Sequence, residues 1–244
     1  MDLKEKTENK KRHPWELSRC QNILNLIKDN NLAVTYADIG AGDRYFSSKL
    51  VFLTNAKVFA VDKEYKNKES KADGVICLND ISRLKNNSID YIIMMDVLEH
   101  IQDEDRFIKI ILEKLKYNGQ ILITVPAMQF LFSPHDVFLK HYRRYSRKQL
   151  LSVLKRNQII VEHSYYFYSI LFFLRYISLL LDKIQKKKKE KNHGIGLWHY
   201  SENSFLTRAL VLILNIDFNL NRLLSKINFR LPGLSVLAIC RKSN

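Results

Sequence analysis

Apolar positions along the chain fall into two alternating rhythms. The first is helical: Trp15, Leu17, Cys20, Ile23, Leu24 and Ile27 recur at helical spacing and predict an N-terminal amphipathic helix over residues 13–30. Short apolar runs follow at Val34–Ile39, Lys57–Val61, Gly74–Leu78, Ile89–Met94 and Gln120–Val125, each the length of a buried strand. Between the last two, Phe107, Ile108, Ile111, Leu112 and Leu115 share one side of a helix over Glu104–Leu115. Ser146 followed by Gln149 is a capping-box pattern that opens a helix over Arg147–Lys155. A sixth strand is expected at Gln158–Tyr166 and a seventh at Leu234–Arg241. Helices alternating with buried strands imply an α/β fold with a doubly wound, mainly parallel sheet.

Between the sixth and seventh strands lies a long apolar and basic insertion, residues 168–230, where a plain fold needs only a short loop. On a helical projection of Ser164–Asp182, Tyr168, Arg175, Ser178 and Asp182 form one narrow polar stripe. Ser204, Arg208, Asn215, Asn219 and Arg222 form another along Ser204–Leu224. The remaining surface of both is aliphatic or aromatic, so each needs more partner than one sheet edge offers. Lys183, the Lys186–Lys189 run and Lys191 follow the first of these helices. The uninterrupted apolar run Tyr165–Leu181 carries Arg175 near its middle and falls short of the roughly 20 residues of a spanning helix. Apolar helix beside polybasic segment suits an anionic membrane leaflet, so residues 168–230 are expected to form a membrane-facing lid.

Composition sharpens this only in part. Lys+Arg 40 against Asp+Glu 25 gives a net charge of +15 and points to anionic partners. Nucleic acid is disfavoured among them, because the lysines gather beside apolar helices and no aromatic-studded strand is evident. Cys20, Cys77 and Cys240 are odd in number, far apart and unsuited to metal-ligand spacing, which fits packed thiols in a reducing compartment. The charged N-terminus has no apolar core of a secretory signal, so the expected location is cytoplasmic, peripheral at the inner face of a membrane.

Candidate chemistry sits at predicted strand ends. Gly40 and Gly42, with Ala41 between them, allow a tight turn and close approach to a ligand after the first strand. Asp62 ends the second strand about 20 residues beyond Gly42, where an acid can accept both hydroxyls of a ribose. Asp80, after the third, can accept from an adenine amino group, with Ile81 packing nearby. In this order the three strand ends point to an adenosine-bearing ligand. A dinucleotide is disfavoured: its third glycine would fall at Tyr45, and no second nucleotide-binding half follows.

Asp38-Ile39-Gly40-Ala41-Gly42, Asp62, Asn79-Asp80-Ile81 and Asp96-Val97-Leu98-Glu99-His100-Ile101 together resemble class I S-adenosylmethionine-dependent methyltransferases. Within them the pattern is similar to the group that includes ubiquinone- and menaquinone-biosynthesis enzymes. His13-Pro14-Trp15-Glu16, Val125-Pro126-Ala127, Ser133-Pro134-His135-Asp136, His141-Tyr142-Arg143-Arg144-Tyr145-Ser146 and Pro232-Gly233-Leu234-Ser235 resemble a bacterial branch associated with envelope glycans and lipids. The resemblance covers about residues 13 to 160 plus the final strand and implies seven strands, the last antiparallel, in one methyltransferase domain over 1–244. It also implies that Asp38 and Gly40 lie along the methionine part of the cofactor, with Ala41 and Gly42 also cofactor-binding, Asp62 on its ribose, and Asp80 and Ile81 at its adenine. Asp96 and Val97 would border the sulfonium. Arg44 departs from the pattern, which often has glycine there.

Methyl transfer to oxygen or nitrogen also requires removal of the acceptor's proton, for which histidine is suited near neutral pH. His135 or His141 is the expected base, with Asp136 as its orienter. His100, Tyr142, Arg143, Arg144 and Tyr145 are candidate substrate contacts, the arginines for a phosphate or carboxylate. Glu99 and His100 with Asp136 do not have a spacing that compels a metal, and none is expected. The leading function is O-methylation of a hydrophobic or phosphorylated, lipid-linked acceptor: a glycolipid, a polyprenyl-linked intermediate or a quinone-like ring. RNA methylation and a non-catalytic, cofactor-binding scaffold are the alternatives.

Overall fold

A computed structural model describes residues 12–29, 35–66, 69–184 and 204–243. Helix α1 (Pro14–Asp29) precedes β1 (Thr35–Ile39), α2 (Tyr45–Thr54) and β2 (Lys57–Val61). Then come β3 (Glu69–Ala72), β4 (Val75–Leu78), β5 (Ile89–Met95), α3 (Glu104–Lys114) and β6 (Leu115–Pro126). The second half holds α4 (Pro134–Phe138), α5 (Arg147–Arg156), β7 (Ile159–Phe167), α6 (Ser169–Ile184), α7 (Phe205–Lys226) and β8 (Ser235–Lys242).

The eight strands form one sheet in the order β3-β4-β2-β1-β5-β6-β8-β7. The pairs β4–β2, β2–β1, β1–β5 and β5–β6 are parallel, and β8 enters antiparallel between β6 and β7. Seven strands were expected; the eighth is β3, which folds back on β4 through Asp73 and Gly74, both at positive φ. Its Glu-Ser-Lys-Ala sequence has no apolar run, because an edge strand is half solvated and needs none.

The two faces of the sheet bury separate cores. Ile108, Ile111, Leu150, Val153 and Leu154 bring α3 and α5 onto one. Ile23, Leu26, Leu50, Leu214 and Phe218 bring α1, α2 and α7 onto the other. Strand order reverses between β1 and β5, so their C-terminal ends open the crevice where such sheets take ligands.

The insertion differs from its sequence projection. Residues 164–167 complete β7, and α6 begins only at Ser169. Its first turn is capped by Asp217 of α7, which accepts from the Ser169 and Ile170 amides at 2.9 and 3.3 Å. Asn221 accepts from Ser169 Oγ at 3.0 Å, and Asn215 bonds Ser18, Gln21 and Asn22 of α1. The buried polar residues of α7 are therefore Thr207, Asp217 and Asn221, beside Leu214 and Phe218, whereas Arg208 and Asn219 of the expected stripe are exposed, as are the apolar Leu212, Ile213, Ile216, Leu220 and Leu223. Ile170, Phe173, Leu174, Ile177, Leu180 and Leu181 of α6 are likewise exposed. No helix among the described residues is long and apolar enough to cross a membrane. Lys186–Lys189 and Lys191 lie outside the described residues, and of Lys183 only the backbone is described.

Candidate active site

The turn after β1 is shaped by backbone geometry. Gly40 and Gly42 have φ of 72° and 53°, conformations that glycine adopts without a Cβ penalty. A Cβ on Gly40 would lie 2.7 Å from Val97 Cγ2, so glycine also lets the β1 and β5 ends approach. The Gly40 amide donates to Val61 O at 2.8 Å, and Gly42 N donates to Asp62 Oδ2 at 2.8 Å, which locks the turn against the end of β2. Arg44 follows at φ 66°, which explains why glycine suits that position so well.

Beside this turn lies a pocket lined by Arg12, Glu16, Arg19, Cys20, Asp38, Gly40, Ala41, Asp43, Tyr45, Phe46 and Met95. Asp38 is enclosed and accepts from Ser47 Oγ at 2.6 Å; burial pushes its carboxyl up to about 6. Arg12 pairs with Asp43, and Arg19 pairs with Asp96, whose φ of 56° is a strained backbone for a residue with a side chain. Thr124 Oγ1 also bonds Asp96 at 3.3 Å. Asp62 and Asp80 stand at the ends of β2 and β4 and are not among the pocket's lining residues. Asp80 caps the short turn Ile81–Arg83 by accepting from Ser82 N at 2.7 Å, while Ile81 packs against the core.

Sequence reasoning missed Arg12, Glu16 and Arg19. Charged residues on an amphipathic helix ordinarily face water, yet here Glu16, Ser18, Arg19 and Asn22 are buried on α1 where it covers the pocket and meets α7. The signal available was two arginines, Arg12 just before α1 and Arg19 on it, in the segment that precedes β1 and the glycine turn.

The second half of the site is built on the segment between β6 and α5. His141 Nδ1 is 2.9 Å from Asp136 Oδ1. Asp136 also accepts from Ser133 N and Oγ at 2.8 and 2.9 Å, and from Arg144 Nε and Nη2 at 2.8 and 3.0 Å. Its hydrogen bonds to His141, Arg144 and Ser133 outweigh the penalty of burial and hold the carboxyl well below its usual range. His135 stacks on Phe138. The rings of His100 and His141 meet edge to face at 4.6 Å.

The arginines of the candidate substrate set both have carboxylate partners in the structure. Arg144 is committed to Asp136, and Arg143 donates to Glu104 Oε2 at 2.8 Å and to Gln102 O. Tyr145 is buried, its hydroxyl 2.6 Å from the same Glu104 oxygen. Tyr142 alone of this set is fully at the surface, stacked under Arg143. Glu104 and Asp136 are thus the carboxylate partners of these two arginines.

A family model described as "methyltransferase domain" matches residues 13–164. No curated protein matches the chain. Among solved structures, phosphoethanolamine N-methyltransferase 2 of Haemonchus contortus, in complex with phosphomonomethylethanolamine and S-adenosylhomocysteine, is 17% identical over 92% of this chain, with a TM-score of 0.54. The chain spans 53% of that protein. A putative sarcosine dimethylglycine methyltransferase from Galdieria sulphuraria is 15% identical, covering 94% of this chain and 86% of its own, with a TM-score of 0.55. A SAM-dependent methyltransferase from Archaeoglobus fulgidus is 16% identical over 93% and 97% of the two chains, with a TM-score of 0.51. At these identities the likeness is one of fold.

Proposed function

This chain belongs to the methyltransferase-domain family, and from that premise we propose that it transfers a methyl group from S-adenosylmethionine to an oxygen of a hydrophobic or lipid-linked acceptor at a membrane surface. The pocket residues fit such a donor. Asp38, enclosed and with one side-chain donor, suits an ammonium group; Arg12 and Arg19 suit a carboxylate; and the glycine turn admits a ligand against backbone. Asp62 is placed for ribose hydroxyls, Asp80 and Ile81 for adenine, and Asp96 and Val97 border the reacting end. When bound, the donor supplies an electrophilic methyl group on a sulfonium. The protein's part is to align the acceptor in line and deal with its proton.

That second task falls to the Asp136–His141 pair. An ionised Asp136, fixed by Arg144 and Ser133, accepts from the Nδ1 proton of His141 and so leaves the lone pair on Nε2. Of the two expected bases, His141 is the one this reading assigns, on its bond to Asp136.

The observation that carries the acceptor class is the apolar outer surface of α6 and α7 and its continuity with the catalytic end. Phe130, from the segment after β6, meets Phe172 and Tyr176 of α6 edge to face at 6.2 and 6.1 Å. Exposed apolar area of this extent marks an interaction site on a protein surface. The lysines between α6 and α7 would add attraction to anionic headgroups. The test is incubation with labelled donor and a membrane extract, in which label is expected in a lipid fraction. Label confined to RNA or to water-soluble products sinks the acceptor class. Flotation with anionic liposomes at low and high salt checks the surface separately, and failure to float at either salt removes it.

A further inference from the structure

Glu99 lies in the single 3-10 turn that follows β5, Leu98–His100, and is completely enclosed. Neither of its carboxylate oxygens meets a hydrogen-bond donor from another residue. A buried carboxylate left this way costs several kcal/mol as an anion, and proteins keep few such groups without a use. The atoms nearest to it are those of a ligand set. One carboxylate oxygen of Glu99, one ring nitrogen of His100 and one of His141 all lie within 4.8 Å of one another.

The surroundings of this trio are those of a coordination site. The chain is closed there by Tyr142 N donating to Glu99 O at 2.8 Å, so the turn after β5 and the loop before α5 are tied together. The Nδ1 of His141 is held by the Asp136 carboxylate, and a carboxylate on one ring nitrogen is how imidazoles that bind a metal through the other are ordinarily oriented. That carboxylate is itself locked by Arg144 and the Ser133 cap. Asp96 adds negative charge on one side, while Arg19 and Arg144 add positive charge.

We propose that Glu99, His100 and His141 bind a divalent first-row transition ion. Two imidazoles and one carboxylate match the donor set of borderline ions such as Zn²⁺, Co²⁺ or Mn²⁺ and not of Mg²⁺, which prefers oxygen throughout. Three protein ligands would leave coordination positions open on the ion. The inference rests on the methyl-transfer reading and refines one part of it: the Asp136–His141 pair then acts on the acceptor's proton through a bound ion. The ion would acidify an acceptor hydroxyl, whose proton would pass to water; the acceptor oxygen would then form the O–CH3 bond as the S–CH3 bond breaks and S-adenosylhomocysteine leaves.

The experiment uses the full chain stripped with a chelator and titrated with Co²⁺ alone, followed by visible absorption, with Zn²⁺ as competitor. One equivalent is expected to develop a ligand-field spectrum that Zn²⁺ abolishes. Glu99→Gln should weaken the ion at least about tenfold, by analogy with losses of supporting groups at metal sites. His163→Ala, on β7, should leave it unchanged and serves as control. Binding of S-adenosylhomocysteine by the Glu99→Gln protein, followed by calorimetry, reports both that it is folded and that the donor site is intact. Failure of the wild-type chain to give the spectrum overturns the proposal, as does equal affinity in Glu99→Gln. Neither result touches methyl transfer, which fails only if the donor product does not bind.

Discussion

Asp136 and Glu99 are both fully enclosed, yet the two corners that hold them are opposite in design. Asp136 meets two side-chain hydroxyl and imidazole partners, a backbone amide and a forked guanidinium, and burial is overruled. Glu99 meets no donor from a neighbouring residue, and desolvation with the nearby Asp96 raises its carboxyl well above the usual range. A carboxylate's state inside a protein is set by the donors aimed at it more than by depth. Asp136 is structural scaffolding for an imidazole; Glu99 is a vacancy for charge.

The contrast is broken or sharpened by substitution, beginning with the largest effect. Asp136→Asn leaves the Arg144 guanidinium without its counter-charge and should destabilise the chain by about 3–5 kcal/mol. Glu99→Gln in metal-free buffer should change stability by about 1 kcal/mol or less, since no donor from another residue is lost. Urea unfolding of the two measures both, and equal losses would erase the distinction.

Asp38 lies between these extremes, with Ser47 as its one side-chain donor. Asp38→Asn removes a charge-assisted bond to the donor's ammonium, about 1.5–3 kcal/mol, so calorimetry should show S-adenosylhomocysteine bound about tenfold to a hundredfold more weakly. Asp217, also pushed up by burial, holds two amides of α6. Asp217→Ala should lower stability by about 1–2 kcal/mol, seen as a drop in melting temperature.

A further effect concerns pH. Burial raises Asp38 from its ordinary value to about 6, so its favourable contribution to folding is complete below the ordinary value and lost as pH rises through about 6. Donor affinity runs the other way, because the ammonium needs the ionised form. It should improve about tenfold between pH 5 and pH 7 and lose that slope in Asp38→Asn. A flat wild-type profile would remove Asp38 as the partner.

The central strands were legible because parallel strands bury both faces and therefore read as unbroken apolar runs, as in Ile89–Met95. The glycine turn was legible for the same local reason: its backbone demand is written in two residues. The pairings of Arg19 and Arg143 were not, because whether an arginine is solvated or enclosed depends on a carboxylate that only the fold brings near. Asp96 lies 77 residues from Arg19, and Glu104 lies 39 residues from Arg143. Glu99 was read as part of a motif, but nothing in the sequence says that its oxygens end up without donors.

The Asp217 and Asn221 caps have a consequence for how an acceptor arrives. They rivet the start of α6 to α7, and Asn215 rivets α7 to the helix over the donor pocket. A corner fastened at three places is a threshold and not a swinging door. Traffic to the methyl group would then be governed by how an acceptor slides across a fixed sill, and changes to the greasy outer rim should alter arrival far more than the pace of the reaction itself.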